Sequence, residues 1–148
     1  MIWIGVDPGS KTGAYADIRD GKAEVFPWDE VFFVQHMTAL AVLDDDVIAV
    51  VEKVGAMPKQ GVSSTWVFAE NFGFIQGVLS ALGIGFQLVP PRVWKKEYSL
   101  GHEKAKSIEV CHRLFPEVDL KRTPRSRTND NNFAEALLMA EYARRKFS

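Results

Sequence analysis

Two short apolar runs, each closed by a single acid, punctuate the chain: Ile2-Trp3-Ile4-Gly5-Val6-Asp7 and Val47-Ile48-Ala49-Val50-Val51-Glu52. Continuous apolar runs of this length predict strands buried on both faces. After the first comes a second strand over residues 12–18, a hairpin turn at Arg19-Asp20-Gly21-Lys22, and a third strand over 23–26. Asp29-Glu30 opens a helix to about residue 43, with Val31, Val34, Met37, Thr38, Ala41 and Val42 near helical spacing. A Gly-, Pro- and Gln-containing loop over 53–64 leads to a long helix over 65–82, with Ser63 or Ser64 as its cap. Gly73 and Gly77 in that helix cost propensity, which close packing on the sheet or on a second subunit would offset. A fifth strand over 85–89 ends at Pro90-Pro91, and helices over 92–98 and 103–115 follow. A basic loop over 119–129 precedes the last helix, from about 130 to 146. The order predicts an α/β fold: three antiparallel strands, then two parallel ones, in a five-stranded mixed sheet flanked by helices. The 148 residues suit one domain, residues 1–148.

Composition removes several function classes. No run of about 18 apolar residues exists, so no membrane-spanning helix is predicted. Asp7-Pro8-Gly9 interrupts any secretory leader. The single cysteine, Cys111, excludes an internal disulfide or a cysteine-built zinc site and fits a reducing, cytoplasmic setting. Net charge is −1, but residues 1–89 carry 5 Lys/Arg against 11 Asp/Glu, whereas residues 90–148 carry 13 against 8. A basic second half suits a polyphosphate partner. An acidic first half suits such a partner only if some of its acids hold metal ions.

Asp7 and Glu52 are the acids to test for that role. A carboxylate at the end of a core strand is costly to bury alone, although Asp-Pro-Gly is also ordinary turn chemistry. On adjacent parallel strands the two would lie a few ångströms apart, where like charges need a divalent cation or a shared proton. Oxygen ligands without clustered Cys or His point to Mg2+ or Mn2+. Glu135 sits in the middle of a small apolar face of the last helix and is the third candidate, unless it pairs with Arg127 or Arg144. Asn131 and Asn132, four and three residues before it, share its face; Asp130, five before, lies at the helix cap.

In these positions the chain resembles the RuvC-type Holliday junction resolvases of the ribonuclease H-like superfamily, and looks most like the phage members. The resemblance rests on Gly5-Val6-Asp7-Pro8-Gly9 with Thr12-Gly13, and on Val51-Glu52 followed by Met57-Pro58-Lys59-Gln60-Gly61. It continues through Val89-Pro90-Pro91 with Trp94-Lys95, Leu114-Phe115-Pro116, and Ala134-Glu135-Ala136-Leu137-Leu138. It implies a ribonuclease H-like nuclease domain in which strand-end acids and those of the final helix bind two magnesium ions. It also implies a homodimer that nicks opposing strands of a four-way DNA junction by two-metal phosphodiester hydrolysis. Asp7 would then bridge the ions, with Glu52 and Glu135 each holding one side. Lys104 or Lys106 would stabilise charge on the phosphorane. Met57, Gln60 and Ser63 lie in or beside a loop suited to enter the junction, where Met57 can wedge against an unstacked base. Lys59, Arg92, Lys95, Lys96, Lys121, Arg122, Arg125 and Arg127 would meet backbone phosphates.

One departure stands out. The family pattern has an aspartate three or four residues before the last acid, where this chain has Asn132 and Asn131. Asn131 is the better candidate for a replaced catalytic acid; either Asp130 substitutes for it through a shifted backbone, or the enzyme is attenuated. The competing expectations are the same fold acting on RNA, and a junction-binding protein without catalysis.

Overall fold

The computed structural model describes residues 1–43, 45–55 and 59–147. Its sheet has the order β3-β2-β1-β4-β5, formed by β1 (Ile2–Asp7), β2 (Ala14–Arg19), β3 (Lys22–Pro27), β4 (Val47–Glu52) and β5 (Gly85–Val89). The first three strands pair antiparallel; β1 with β4 and β4 with β5 pair parallel. The β2–β3 hairpin turns through Asp20 and Gly21 at φ 50° and 76°, the left-handed backbone that two-residue hairpin loops require.

Alternation along the strands sorts the core into two layers. Ile2, Ile4 and Val6 of β1, with Ala49 and Val51 of β4, pack against Phe33, Met37, Ile75 and Leu79. Those four residues belong to α1 (Glu30–Ala41) and α2 (Val62–Ala81). On the opposite face, Ala14, Ala16, Ile18 and Val50 meet α3 (Pro91–Lys96), α4 (Lys104–Leu114) and α5 (Asn131–Phe147). The helix α5 is the central one of that layer, with residues 133–143 all buried. Its alanines, Ala134, Ala136, Ala140 and Ala143, have no exposure and let it lie close on the sheet. At Gly5 the approach is so tight that a Cβ would overlap the Ala136 carbonyl and the Ala140 amide. Only glycine fits there, and its absence of a side chain sets the spacing between β1 and α5.

Two sequence expectations need correction. The helix α2 starts at Val62 behind an extended Gly61, without a side-chain cap, so Ser63 and Ser64 lie inside its first turn rather than capping it. Gly61, at φ −64° and ψ 153°, already points the chain into the helix. Gly73 and Gly77 do not pack on the sheet. Both are exposed, and a Cβ at either would meet nothing within 4 Å. Among the described residues no helix is long and apolar enough to cross a membrane.

Candidate metal centre

The same alternation aims three acids at one place. With Ile2, Ile4 and Val6 facing α1 and α2, the odd positions of β1, including Gly5 and Asp7, face α5. In β4 Val50 belongs to the α5 layer, and Glu52 shares its parity. The parallel register runs from Ile2 with Val47 to Val6 with Val51, so Asp7 and Glu52 follow side by side at the strand ends. The helix α5 crosses above Gly5 and brings Glu135, one residue before Ala136, to the same point. One carboxylate oxygen from each of Asp7, Glu52 and Glu135 lies within 4.8 Å of the others. Glu52 and Glu135 are 7% and 8% exposed.

Like charges at that separation repel by about 3 kcal/mol per pair at an effective dielectric near 20. The chain offsets little of it. Trp94 Nε1 donates to Glu52 Oε2 at 2.9 Å, and Gly9 N–H makes a long 3.5 Å contact with Asp7 Oδ1. Among the described residues one cation pairs with the trio: Lys95 Nζ, 3.3 Å from Glu135 Oε1. Loss of solvent, then the charges of Glu52 and Glu135, push the Asp7 carboxyl up to about 8, against the Gly9 N–H. Glu52 is raised too, by burial first and Glu135 second, with Trp94 and Lys95 opposing. Three hard oxygen donors with one amine among them fit a magnesium- or manganese-type ion.

Asp130 lies at the start of α5 and is otherwise engaged. Its Oδ1 accepts the Asn132 and Phe133 amides at 2.8 and 3.2 Å, capping the helix. Its Oδ2 receives Arg122 Nε at 2.7 Å. Burial alone would raise its pKa, but Arg122 and the two amides hold it below the usual range. Arg122 also donates to the carbonyls of Gly13 and Thr12 at 3.2 and 2.7 Å, and Asn132 Nδ2 donates to the same Thr12 carbonyl at 2.7 Å. This clasp ties the basic loop, the first turn of α5 and the turn after Asp7 together. Next to it, the Oδ1 of Asn131 is buried with no hydrogen-bond donor among the described residues. An unsatisfied buried acceptor of this kind costs about 1–3 kcal/mol.

The other candidates fall in different places. Lys104 and Lys106 are exposed on the first turn of α4, where Lys106 lies 3.8 Å from Glu103. Lys95, expected only at a phosphate, is the lysine that the fold brings to the carboxylates. Its neighbour Trp94, which the sequence offers only as part of the Trp94-Lys95 motif, belongs to the site through its bond to Glu52; its burial has no signal in the sequence. Arg92 and Lys96 are exposed on α3, as are Lys121, Arg125 and Arg127 in the basic loop, whereas Arg122 is turned inward. Lys59 and Ser63 are exposed, and Gln60 Nε2 donates to the Ser64 hydroxyl at 3.2 Å. Met57 lies outside the described residues.

No family model and no curated protein matches the sequence. Solved structures do. A Thermus thermophilus RuvC structure aligns over 98% of this chain and 96% of its own, at 17% identity and a TM-score of 0.56. T. thermophilus RuvC in complex with Holliday junction substrate aligns over 99% and 96%, at 17% identity and a TM-score of 0.59. The five-stranded mixed sheet and its flanking helices are thus the ribonuclease H-like fold in its RuvC form, end to end.

Proposed function

We propose that the protein is a RuvC-type, structure-selective endodeoxyribonuclease that resolves Holliday junctions or other branched DNA. The observation that carries the reading is the convergence of Asp7, Glu52 and Glu135 within 4.8 Å, on a fold shared end to end with RuvC. Asp7, Glu52 and Glu135 would together hold the divalent cation on which the reaction depends. Bound Mg2+ or Mn2+ would supply an acidified water and neutralise charge at the leaving 3′ oxygen. The protein's own part is to fix the ligands. Trp94 orients Glu52, Lys95 orients Glu135, and the Arg122 clasp holds the first turn of α5 against the turn that follows Asp7. Because burial and the charges of Glu52 and Glu135 raise the Asp7 pKa, a bound cation would compete with a proton there.

The exposed cations of α3 and of the basic loop, Arg92, Lys96, Lys121, Arg125 and Arg127, lie on segments that lead to the trio. They are placed to hold backbone phosphates of the DNA arms. Lys104 and Lys106, exposed on the first turn of α4, are further candidates for phosphate contacts. Homodimerisation is supported by α2, whose outward face carries Val62 at 87% and Trp66 at 68% exposure, with Gly73 and Gly77 open for a second backbone. Two such domains would present two centres to opposing strands of one junction.

A second reading, a junction-binding protein without catalysis, is favoured by the amides at Asn131 and Asn132. One experiment separates them: synthetic four-way junctions, forks, duplexes and RNA–DNA hybrids are incubated with Mg2+ or Mn2+, beside an Asp7→Asn control. Paired nicks in junctions that vanish in the control are expected. Tight junction binding with no nicking under either metal would favour the second reading, and equal cleavage by protein and control would overturn the first.

A further inference from the structure

The helix α2 meets the body of the protein late in its length. From residue 62 to residue 70 none of its side chains is buried, and Val62, Trp66 and Val67 are exposed. Asn71, Ile75 and Leu79 then follow at helical spacing along one stripe, and Ile75 and Leu79 have no exposure. Asn71 heads this stripe, where an aliphatic residue would serve packing alone and where asparagine is a poor helix former. Its Nδ2 donates to the Pro8 carbonyl at 2.8 Å. Among the described residues no other donor reaches that carbonyl.

Pro8 directly follows Asp7, and the turn it opens is held unevenly. At the far end the Thr12 and Gly13 carbonyls take donors from Arg122, Asn132 and the Trp28 amide. The chain is drawn in so tightly there that a Cβ on Gly13 would overlap the carbonyls of Gly9 and Asp7. At the near end the Asp7 carboxylate has only the long 3.5 Å contact from Gly9 N–H, whereas Glu52 and Glu135 have Trp94 and Lys95 as side-chain partners. Ionised, Asp7 is repelled by both glutamates, and its place has to be imposed through the backbone. The proline ring fixes φ at Pro8, so a pinned Pro8 carbonyl leaves the Asp7 peptide little freedom. We propose that Asn71 is a positioning residue: by holding the Pro8 carbonyl it sets where the Asp7 carboxylate stands relative to Glu52 and Glu135. The proposal rests on the metal-dependent reading above and deepens it. It gives α2 a part in the metal centre although no side chain of that helix belongs to the trio.

The test compares the parent with Asn71→Leu, which keeps a similar shape and removes the donor, and with Leu79→Ala, which loosens the same helix by packing alone. Circular dichroism checks that each variant folds. Mn2+ affinity is read by calorimetry without DNA, and kcat and KM by steady-state nicking of a four-way junction in Mg2+. Asn71→Leu is expected to weaken Mn2+ about fivefold and to lower kcat about tenfold, with KM within about twofold of the parent. Leu79→Ala is expected to lower the thermal midpoint more than Asn71→Leu does, while Mn2+ affinity and kcat of the folded protein stay within about twofold of the parent. Asp7→Asn should abolish Mn2+ binding. If Asp7→Asn has no effect on Mn2+ affinity, the carboxylates are not the cation site, and the metal-dependent reading falls together with this proposal. If Asp7→Asn abolishes binding while Asn71→Leu stays within about twofold of the parent in both Mn2+ affinity and kcat, the Asn71 proposal alone is overturned. Equal losses in Asn71→Leu and Leu79→Ala overturn it as well, because the bond then counts only as anchorage of α2. A rise in KM with kcat unchanged would put Asn71 at the DNA instead, with the same consequence. In a parent that binds junctions without nicking them, the Mn2+ affinities decide by the same criteria.

Discussion

The two ends of α5 bury acids in opposite ways. Near its carboxyl end Glu141, 5% exposed, receives Arg144 through two hydrogen bonds of 2.6 and 2.7 Å and Arg145 through one of 3.1 Å. Arg145 and Lys146 also pair with Glu97. Burial would raise the Glu141 pKa, but the two guanidinium groups keep it low. Near the amino end Glu135 joins Asp7 and Glu52, and three carboxylates share one lysine. There the pKa values of Asp7 and Glu52 move up. Both ends are buried, and both ends sit on the same sheet. What differs is whether the chain supplies the countercharge. A structural acid is closed by arginines from its own helix, whereas the trio leaves room for a cation from outside.

Breaking the amino end should have the largest effect. Glu135→Gln removes one ligand charge and should lower Mg2+-dependent junction nicking by about 10³-fold or more, several kcal/mol of transition-state stabilisation, with the fold intact by circular dichroism. Lys95→Met should reduce nicking by about 10²-fold. It should also bind Mn2+ slightly more tightly than the parent in the absence of DNA, because a competing cation is gone. A loss of both together would mean that Lys95 acts only by holding the helix. At the carboxyl end the expectation is reversed. Arg144→Ala with Arg145→Ala leaves Glu141 buried and unpaired, which should cost about 2–3 kcal/mol in denaturant unfolding. The cleavage rate of the folded fraction should stay close to that of the parent.

The last expected effect is one of pH. Asp7 has a folded pKa of about 8 against an ordinary 3.8, so between these values the folded protein binds a proton that the unfolded chain releases. Stability of the metal-free protein from this group is therefore fully present below about pH 4 and lost as pH rises toward 8. A fall in the thermal midpoint of the metal-free protein is expected across that window. Asp7→Asn should flatten it, and saturating Mg2+ should reverse it.

Much of this was legible in the sequence. The runs ending in Asp7 and Glu52 gave strand, burial and parity at once, because a run apolar on both faces is a central strand. Neighbouring central strands bring their end residues together. Glu135 was visible as an acid on an alanine-rich face. Which cation would reach the trio was not, because the basic second half offers many, and the choice depends on how α3 packs. Burial of Trp94 turns that short helix so that the lysine beside it meets Glu135. Arg122 was equally hidden. Its acceptors, the Thr12 and Gly13 carbonyls, are about 110 residues away and become its partners only through the tertiary approach of the basic loop. The start of α2 was misplaced because serines near a helix end look like caps, while the chain's entry angle is set one turn earlier by Gly61.

The most direct measurement is a crystal structure grown with Mn2+, with anomalous scattering used to locate the ion. The account predicts a peak bounded by Asp7, Glu52 and Glu135, with Lys95 displaced from the Glu135 oxygen it now meets. An anomalous map without a peak there, and with the Lys95–Glu135 pair intact at saturating Mn2+, would contradict it.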